Sequence, residues 1–133
     1  MKEQKMKIKP NKYHNKKIIT PDGQFDSKKE YNEWCRLKLL EKAKIIEKLE
    51  RQKEFVLIPT IYTKEETLRR TSYIADFFYY DLALKSWVVR DSKGFPTPEY
   101  KIKKKLMLWR YPDIIFIESG NNMKVYKNEQ IVK

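Results

Sequence analysis

Apolar positions along the chain recur at two spacings, one typical of helices and the other typical of strands. In residues 27–44, SKKEYNEWCRLKLLEKAK, apolar side chains return every three or four positions, which predicts a helix. Residues 98–111 begin with a proline, which suits the first turn of a helix, and carry Ile102, Leu106 and Trp109 at helical spacing. We therefore predict two helices, and we expect Trp109 to pack in the core.

Runs rich in β-branched and aromatic residues predict strands at 72–81, 86–92 and 112–119. The turn residues Pro21-Asp22-Gly23 predict a small hairpin, and the stretch IIEKLERQKEFVLIPT predicts two short extended pieces. The second helix lies between the last two strands, so it is a crossover that allows them to be parallel. The order of elements predicts an α/β sandwich.

Length and composition bound the domain organisation. The chain has 133 residues, of which 41% are hydrophobic and 14% aromatic, enough for one core. Residues 1–12 are polar and basic and are expected to form a flexible arm, residues 13–119 a single domain, and residues 120–133 a C-terminal tail. The single cysteine, Cys35, excludes an intramolecular disulfide and a cysteine-based zinc site.

Charge then narrows the class of partner. The 30 basic and 18 acidic side chains give a net charge of +12, which favours a polyanion such as nucleic acid. A charge kept only for solubility is the alternative. The sequence shows no signal-peptide pattern and no apolar run near the roughly 20 residues of a membrane span. We therefore expect a cytoplasmic protein with no membrane partner.

Three charged residues on neighbouring predicted strands form a candidate site. If 72–81 and 86–92 pair as a hairpin, Asp76 lies close to Asp91, and Lys93 shares a strand face with Asp91. A close pair of carboxylates is costly without a cation, and Mg²⁺ prefers oxygen ligands. Lys93 could orient a water molecule or stabilise transition-state charge. The alternatives are an exposed Asp76 on an edge strand and a surface ion pair between the other two.

An Asp on one strand, Asp-x-Lys on the next and a Glu on the preceding helix resemble the PD-(D/E)xK nuclease superfamily. The segments DSKKE, YIADF and DSKG, in this order, resemble small phage-encoded proteins described as a domain of unknown function. This second similarity covers roughly residues 11–117. Each segment is weak alone, and the three together are specific.

The resemblance implies a restriction-endonuclease-like core, in which a central mixed sheet is flanked by helices. It implies catalytic roles for Glu30, Asp76, Asp91 and Lys93, and a metal site formed by Glu30, Asp76, Asp91 and Ser92. The expected cofactor is Mg²⁺, for which Mn²⁺ can substitute. Glu30 has a second interpretation, because Ser27 and Glu30 match a helix capping box.

The implied activity is a metal-dependent DNA endonuclease that leaves 5′-phosphates, in the cytoplasm of the host cell if the chain is phage-encoded. With no separate recognition domain, we expect selectivity for DNA structure, such as branched or Holliday-junction DNA, rather than for sequence. Cutting both sides of a junction would require a homodimer. A non-catalytic nucleic-acid-binding protein on the same fold and an RNA-binding regulator remain alternatives.

Besides the expected lack of a separate recognition domain, two features depart from the superfamily pattern. Ala75 precedes Asp76 where the motif has a proline, at a position that tolerates change. A literal Pro112-Asp113 occurs later, but no acid-x-Lys follows it on a strand, so it is interpreted as the start of a strand.

Basic residues near the candidate site are predicted to contact the phosphate backbone of DNA. Three of them, Lys101, Lys104 and Lys105, lie on the second helix, and three more, Lys12, His14 and Lys16, lie in the basic segment KIKPNKYHNKK near the N-terminus. A solvated helix face is the alternative for the first group, and plain surface is the alternative for His14.

Overall fold

The computed structural model describes residues 7–10, 16–92 and 96–129. Its elements, in chain order, are β1 (Lys7–Pro10), β2 (Lys16–Thr20), β3 (Gly23–Phe25), α1 (Lys28–Lys42), β4 (Ile46–Ile58), β5 (Ile61–Tyr62), β6 (Thr67–Leu68), β7 (Thr71–Asp81), β8 (Ser86–Asp91), α2 (Pro98–Arg110), β9 (Ile115–Glu118) and β10 (Lys124–Tyr126). Within these ranges, no helix has the length and apolar character needed to cross a membrane.

The central sheet contains five strands in the order β10-β9-β8-β7-β4. β8 and β9 are parallel, with Val88 opposite Ile115, and α2 connects them as the predicted crossover. The other neighbours are antiparallel, and Phe77 of β7 lies opposite Arg90 of β8. The predicted α/β class and the mixed sheet are therefore confirmed. The predicted hairpin at Pro21-Asp22-Gly23 is also present, as β2 and β3.

The stretch expected to form two short extended pieces is a single strand, β4, of 13 residues. Lys48 and Gln52 interrupt its regular backbone with positive φ angles of 57° and 55°. The register of β4 against β7 shifts between Glu47 and Glu50, but pairing continues on both sides of each irregular residue. The prediction of two pieces was wrong because the sequence does not distinguish a distorted strand from a broken one.

Short strands also form in both segments that were placed outside the domain. Residues 7–10 of the expected arm form β1, which pairs with β2. Residues 124–126 of the expected tail form β10, the edge strand beside β9. These strands of three and four residues contain too few apolar side chains to show a period in the sequence.

The core lies on both faces of the central sheet. The buried residues that pack with α1 are Leu37, Ile46, Phe77, Tyr79, Val88, Ile115 and Ile117. Those that pack with α2 are Leu57, Tyr73, Ala75, Val89, Tyr100, Met107, Ile114 and Phe116. Val88 and Val89 therefore serve opposite faces of β8, which is the alternation of a strand covered on both sides.

The face that α2 buries is not the one that its apolar spacing predicted. Trp109 is 70% exposed and Ile102 is 61% exposed, whereas Tyr100 and Met107 are buried. The face of α2 that contains Tyr100 is the one turned to the sheet, because it also supplies polar groups to the half-buried Glu118 of β9. The Tyr100 hydroxyl donates to Glu118 Oε2 at 2.7 Å, and Lys104 Nζ donates to the same oxygen at 2.9 Å.

A buried ion pair joins α1 to the end of β8. Arg90 Nε lies 2.5 Å from Glu33 Oε1, and the two side chains are only 8% and 9% exposed. Ser119, just after β9, donates its hydroxyl proton to the same carboxylate at 2.8 Å. Since Glu30 precedes Glu33 by one helical turn and Asp91 follows Arg90, this pair fixes the helix that carries one predicted site residue against the strand that carries another.

Glu33→Ala is expected to lower the free energy of unfolding by about 3–5 kcal/mol, because the guanidinium of Arg90 would stay buried without its partner. Urea unfolding followed by circular dichroism measures this loss. Glu54→Ala is the matched control, since it removes the carboxylate of an ion pair with Arg70 whose side chains are 56% and 43% exposed. The control should cost far less, because an exposed ion pair contributes little to stability. Equal losses would show that the buried pair does not anchor α1.

Candidate active site

A cavity of about 590 Å³ lies between the starts of both helices, the first half of β7 and the end of β8. Five acids line it, namely Asp26, Glu30, Asp76, Asp91 and Glu99, and among the described lining residues Lys103 is the single base. Ser27 and Thr97, which cap the N-termini of α1 and α2, are also part of its wall. The positive ends of two helix dipoles therefore partly compensate a strongly acidic cavity in a basic protein.

Asp76 and Asp91 come together through the pairing of β7 with β8. Phe77 of β7 lies opposite Arg90 of β8 in this antiparallel pair. Asp76 comes one residue before Phe77 and Asp91 one residue after Arg90, so the two aspartates also lie opposite each other. Asp76 Oδ2 accepts hydrogen bonds from the Ser92 backbone N–H and from the Ser92 hydroxyl, both at 2.8 Å. Burial, together with the Asp91 carboxylate, raises the pKa of Asp76 from 3.8 to about 6. Ser92, predicted as a metal ligand, thus donates to Asp76.

Asp91 is the more deeply buried of the two aspartates, with 3% of its surface exposed. The hydroxyl of Tyr73 donates to Asp91 Oδ2 at 2.5 Å. Burial and the nearby Asp91 charge raise the pKa of Tyr73 far above its usual range, so its hydroxyl stays protonated and remains a donor. Sequence reasoning did not select Tyr73, which looks like one more aromatic residue of a core strand.

Glu30 combines the two roles that the sequence left open. Its backbone N–H donates to Ser27 Oγ at 3.1 Å, and its Oε2 accepts the Asp26 N–H at 3.1 Å, so it caps the start of α1. It also lines the cavity, with only 2% of its surface exposed. Burial, and then the charge of Asp76, raise the pKa of Glu30 from 4.5 to about 7.

The lysine of α2 that lines the cavity is Lys103, which the sequence analysis did not select. Its Nζ lies 3.1 Å from Glu99 Oε1. Lys101 and Lys105 are exposed, but at 100° per residue each lies about 160° around the helix from Lys103. Lys104 is held by Glu118 and lies 4.0 Å from the centre of the Tyr126 ring. The expectation that Lys104 contacts phosphate therefore conflicts with its intramolecular partners.

Several predicted residues fall where the structure gives no side-chain geometry. Lys93, Lys12 and His14 lie outside the described residues. Lys16 is the first residue of β2. The predicted roles of these four residues stay predictions.

The donor set of the cavity suits a hard cation only in part. Among the described residues, no three His, Cys, Asp or Glu side chains are grouped so that they could hold a metal ion. The predicted set of metal ligands that includes Glu30 is thus not preformed. The carboxylate oxygens of Glu30 instead face the Asp26 backbone amide and, at 3.4 Å, the Gln52 side-chain amide. Mg²⁺ is commonly bound through one or two carboxylates and several waters, so Asp76 and Asp91 fit it.

The raised pKa values predict how stability depends on pH without metal. Asp76 and Glu30 bind protons more tightly in the folded chain, with pKa values of about 6 and 7, than unfolded, at 3.8 and 4.5. Their contribution to stability is therefore full below pH 4 and lost as pH rises to about 7. Asp76→Asn removes this loss at one site and should gain about 3 kcal/mol over the wild type at pH 8, but little at pH 4.

Thermal unfolding in EDTA across this pH range tests the expectation. Glu54→Gln is the control of opposite sign, because the nearby Ser72 side chain and the hydrogen-bonded Arg70 lower the pKa of Glu54. That substitution should not stabilise the protein at pH 8. If Asp76→Asn is no more stable than the wild type at pH 8, folding does not raise the pKa of Asp76.

Comparison with known proteins gives a family for most of the chain. The family described as "Protein of unknown function (DUF1064)" matches residues 10–127, which include both helices and every residue placed in the cavity wall. No curated protein and no solved structure gives a significant match. With the match extending over far more than half of its length, the chain belongs to the DUF1064 family of proteins of unknown function.

Proposed function

We propose that this protein is a Mg²⁺-dependent nuclease that hydrolyses phosphodiester bonds in DNA. The observation that carries the proposal is the cavity in which the half-buried Asp76 and the buried Asp91 meet beside the buried Glu30. Acids with raised pKa values in a cleft are typical of functional sites, since keeping them there costs stability. A polyanionic substrate also agrees with the net charge of +12.

Asp76 and Asp91 would hold the metal ion. Bound there, Mg²⁺ supplies Lewis-acid activation of water and neutralises charge on the phosphate. Ser92 fixes Asp76 through two hydrogen bonds, and Tyr73 fixes Asp91 through one. These donors set the orientation of both carboxylates in advance, which reduces the rearrangement required when a cation binds.

Glu30 is the candidate proton acceptor. Without metal, a pKa of about 7 places Glu30 where its carboxylate can take up and release a proton near neutral pH. Oε2 accepts the shorter bond, at 3.1 Å from the Asp26 N–H, whereas Oε1 accepts only the longer one, at 3.4 Å from the Gln52 amide, so we assign the proton to Oε1. The predicted partner in this chemistry is Lys93.

Lys103 is the candidate contact for the phosphate that is cleaved. A phosphate that enters a cavity with five acids needs positive charge, and Lys103 lines that cavity. Its present partner, Glu99, is 76% exposed, so the ion pair is weak enough for a phosphate to replace. The N-termini of α1 and α2 add partial positive charge on the same side.

The finer points of the proposal depend on the resemblance to PD-(D/E)xK enzymes. They are 5′-phosphate products, preference for branched or Holliday-junction DNA, a homodimer that cuts both sides of a junction, and action in the host cytoplasm. The restriction-endonuclease-like core belongs with them, and the mixed sheet between α1 and α2 agrees with it.

A non-catalytic nucleic-acid-binding protein is the second candidate. It is favoured by the lack, among the described residues, of a ready group of three metal ligands. The two candidates differ in what the acids do. A binding protein would gain affinity when its buried acids are removed and would never cut its substrate.

Asp76→Asn and Asp91→Asn are each expected to lower cleavage by more than about 100-fold, since even losing a partner outside the metal ligands commonly costs 10–100-fold. Binding measured in EDTA should be retained or tightened, because each change removes negative charge near a phosphate. The assay uses branched, single-stranded and linear duplex DNA with Mg²⁺, Mn²⁺ or EDTA. Cleavage of none of these DNAs by the wild type would favour the binding protein.

Lys103→Ala is expected to lower the cleavage rate of bound DNA by about 100-fold, the cost of removing one donor that stabilises transition-state charge. Lys101→Ala removes an equal charge from the opposite flank of α2. Lys101→Ala should instead weaken DNA binding. It should also change the slope of log affinity against log salt concentration by about 0.9 for each phosphate that is no longer bound. Single-turnover cleavage and binding titrations separate these effects. A rate loss of the same size in both variants would contradict a special place for Lys103.

A further inference from the structure

Strand β4 contains two residues in the left-handed region of backbone space. These are Lys48, with φ of 57°, and Gln52, with φ of 55°. Residues with a side chain adopt this conformation at a cost, because Cβ crowds the backbone. At Lys48 a shift of register against β7 accounts for it, as expected of a bulge. At Gln52 the pairs Arg51–Phe77 and Lys53–Ala75 stay in one register, so no shift of register accompanies it.

The position of Gln52 is beside the cavity. It lies between those two pairs, and therefore opposite Asp76. Its side-chain Nε2 lies 3.4 Å from Glu30 Oε1. Strained backbone persists where its surroundings hold it, and it concentrates at functional sites.

The contacts of the preceding residue show what the unusual backbone achieves. The guanidinium of Arg51 lies 3.8 Å from the centre of the Phe25 ring and 6.0 Å from that of Trp34, on the side of the sheet covered by α1. In a regular strand the next side chain points to the opposite side. Gln52 nevertheless reaches Glu30, which belongs to α1, so its left-handed backbone turns the amide to the same side as Arg51.

We propose that Gln52 is a positioning residue, held in a strained conformation so that its amide fixes the carboxylate of Glu30 beside Asp76. This inference depends on the proposed function for the chemistry of Glu30, but the contact itself does not. Arg51 supplies part of the constraint, because its Nη2 donates to the Gln24 carbonyl at 2.7 Å and holds the chain immediately before Gln52.

Glycine substitutions at the two strained positions form a matched pair. Gln52→Gly and Lys48→Gly both remove the Cβ conflict, and Lys48→Gly should raise Tm by about 2–4 °C for a chain of this size. Gln52→Gly should raise Tm by less, because it also leaves the buried carboxylate of Glu30 without the amide donor. Gln52→Gly alone loses the amide, so it should also lower kcat by about 10–100-fold and leave KM unchanged. Gln52→Asn is a second variant, since Asn tolerates this backbone region and its amide is one methylene shorter. It should show the same fall in kcat.

A readout without cleavage separates this proposal from the proposed function. The Tm shifts of Gln52→Gly and Glu30→Ala, measured in EDTA, should not add in the double variant, whereas those of Lys48→Gly and Glu30→Ala should add. Additive shifts in both pairs, or a Gln52→Gly variant with full kcat, would overturn the proposal. Non-additive shifts in a protein that cleaves no DNA would remove the nuclease function and leave the contact between Gln52 and Glu30 established.

Discussion

Two carboxylates with little access to water must share one cavity, and the surrounding structure is arranged to make this possible. Asp76 and Asp91 repel each other more strongly there than in water, because the protein interior screens charge poorly. Ser92, Tyr73 and the starts of two helices offset part of that repulsion. The remainder stays as a tendency to take up a proton or a cation, and it is this tendency that gives the cavity its chemical character.

The opposite face of β8 carries a buried positive charge, which also needs partners. Arg90 is buried next to Asp91 in sequence, but it points towards α1, where Glu33 and the Tyr79 hydroxyl lie. One strand thus carries a buried cation and a buried anion on its two faces, and each has its own partners. Because Glu30 and Glu33 share a face of α1, the ion pair that neutralises Arg90 also sets how far Glu30 reaches into the cavity.

The parts of the fold that sequence predicted are those with long, unambiguous patterns. The hairpin of β7 and β8 follows from two aromatic and β-branched runs, and the approach of Asp76 to Asp91 follows from counting along that hairpin. α2 was placed correctly but rotated wrongly, because its apolar residues form two competing stripes and hydrogen bonds to Glu118 decide between them. The same rotation puts Lys103, rather than Lys101, in the cavity wall.

The three tryptophans lie in different surroundings, and the rotation of α2 determines those of Trp109. Trp34 stacks on Phe77 with 6.1 Å between ring centres, and Trp87 stacks on Phe78 with 4.8 Å. Trp109 instead presents its indole to solvent on the outer side of α2. A quencher dissolved in water therefore collides with this indole far more often than with the other two. Fluorescence from Trp109 is therefore an intrinsic probe of ligand binding along α2, and it needs no attached dye.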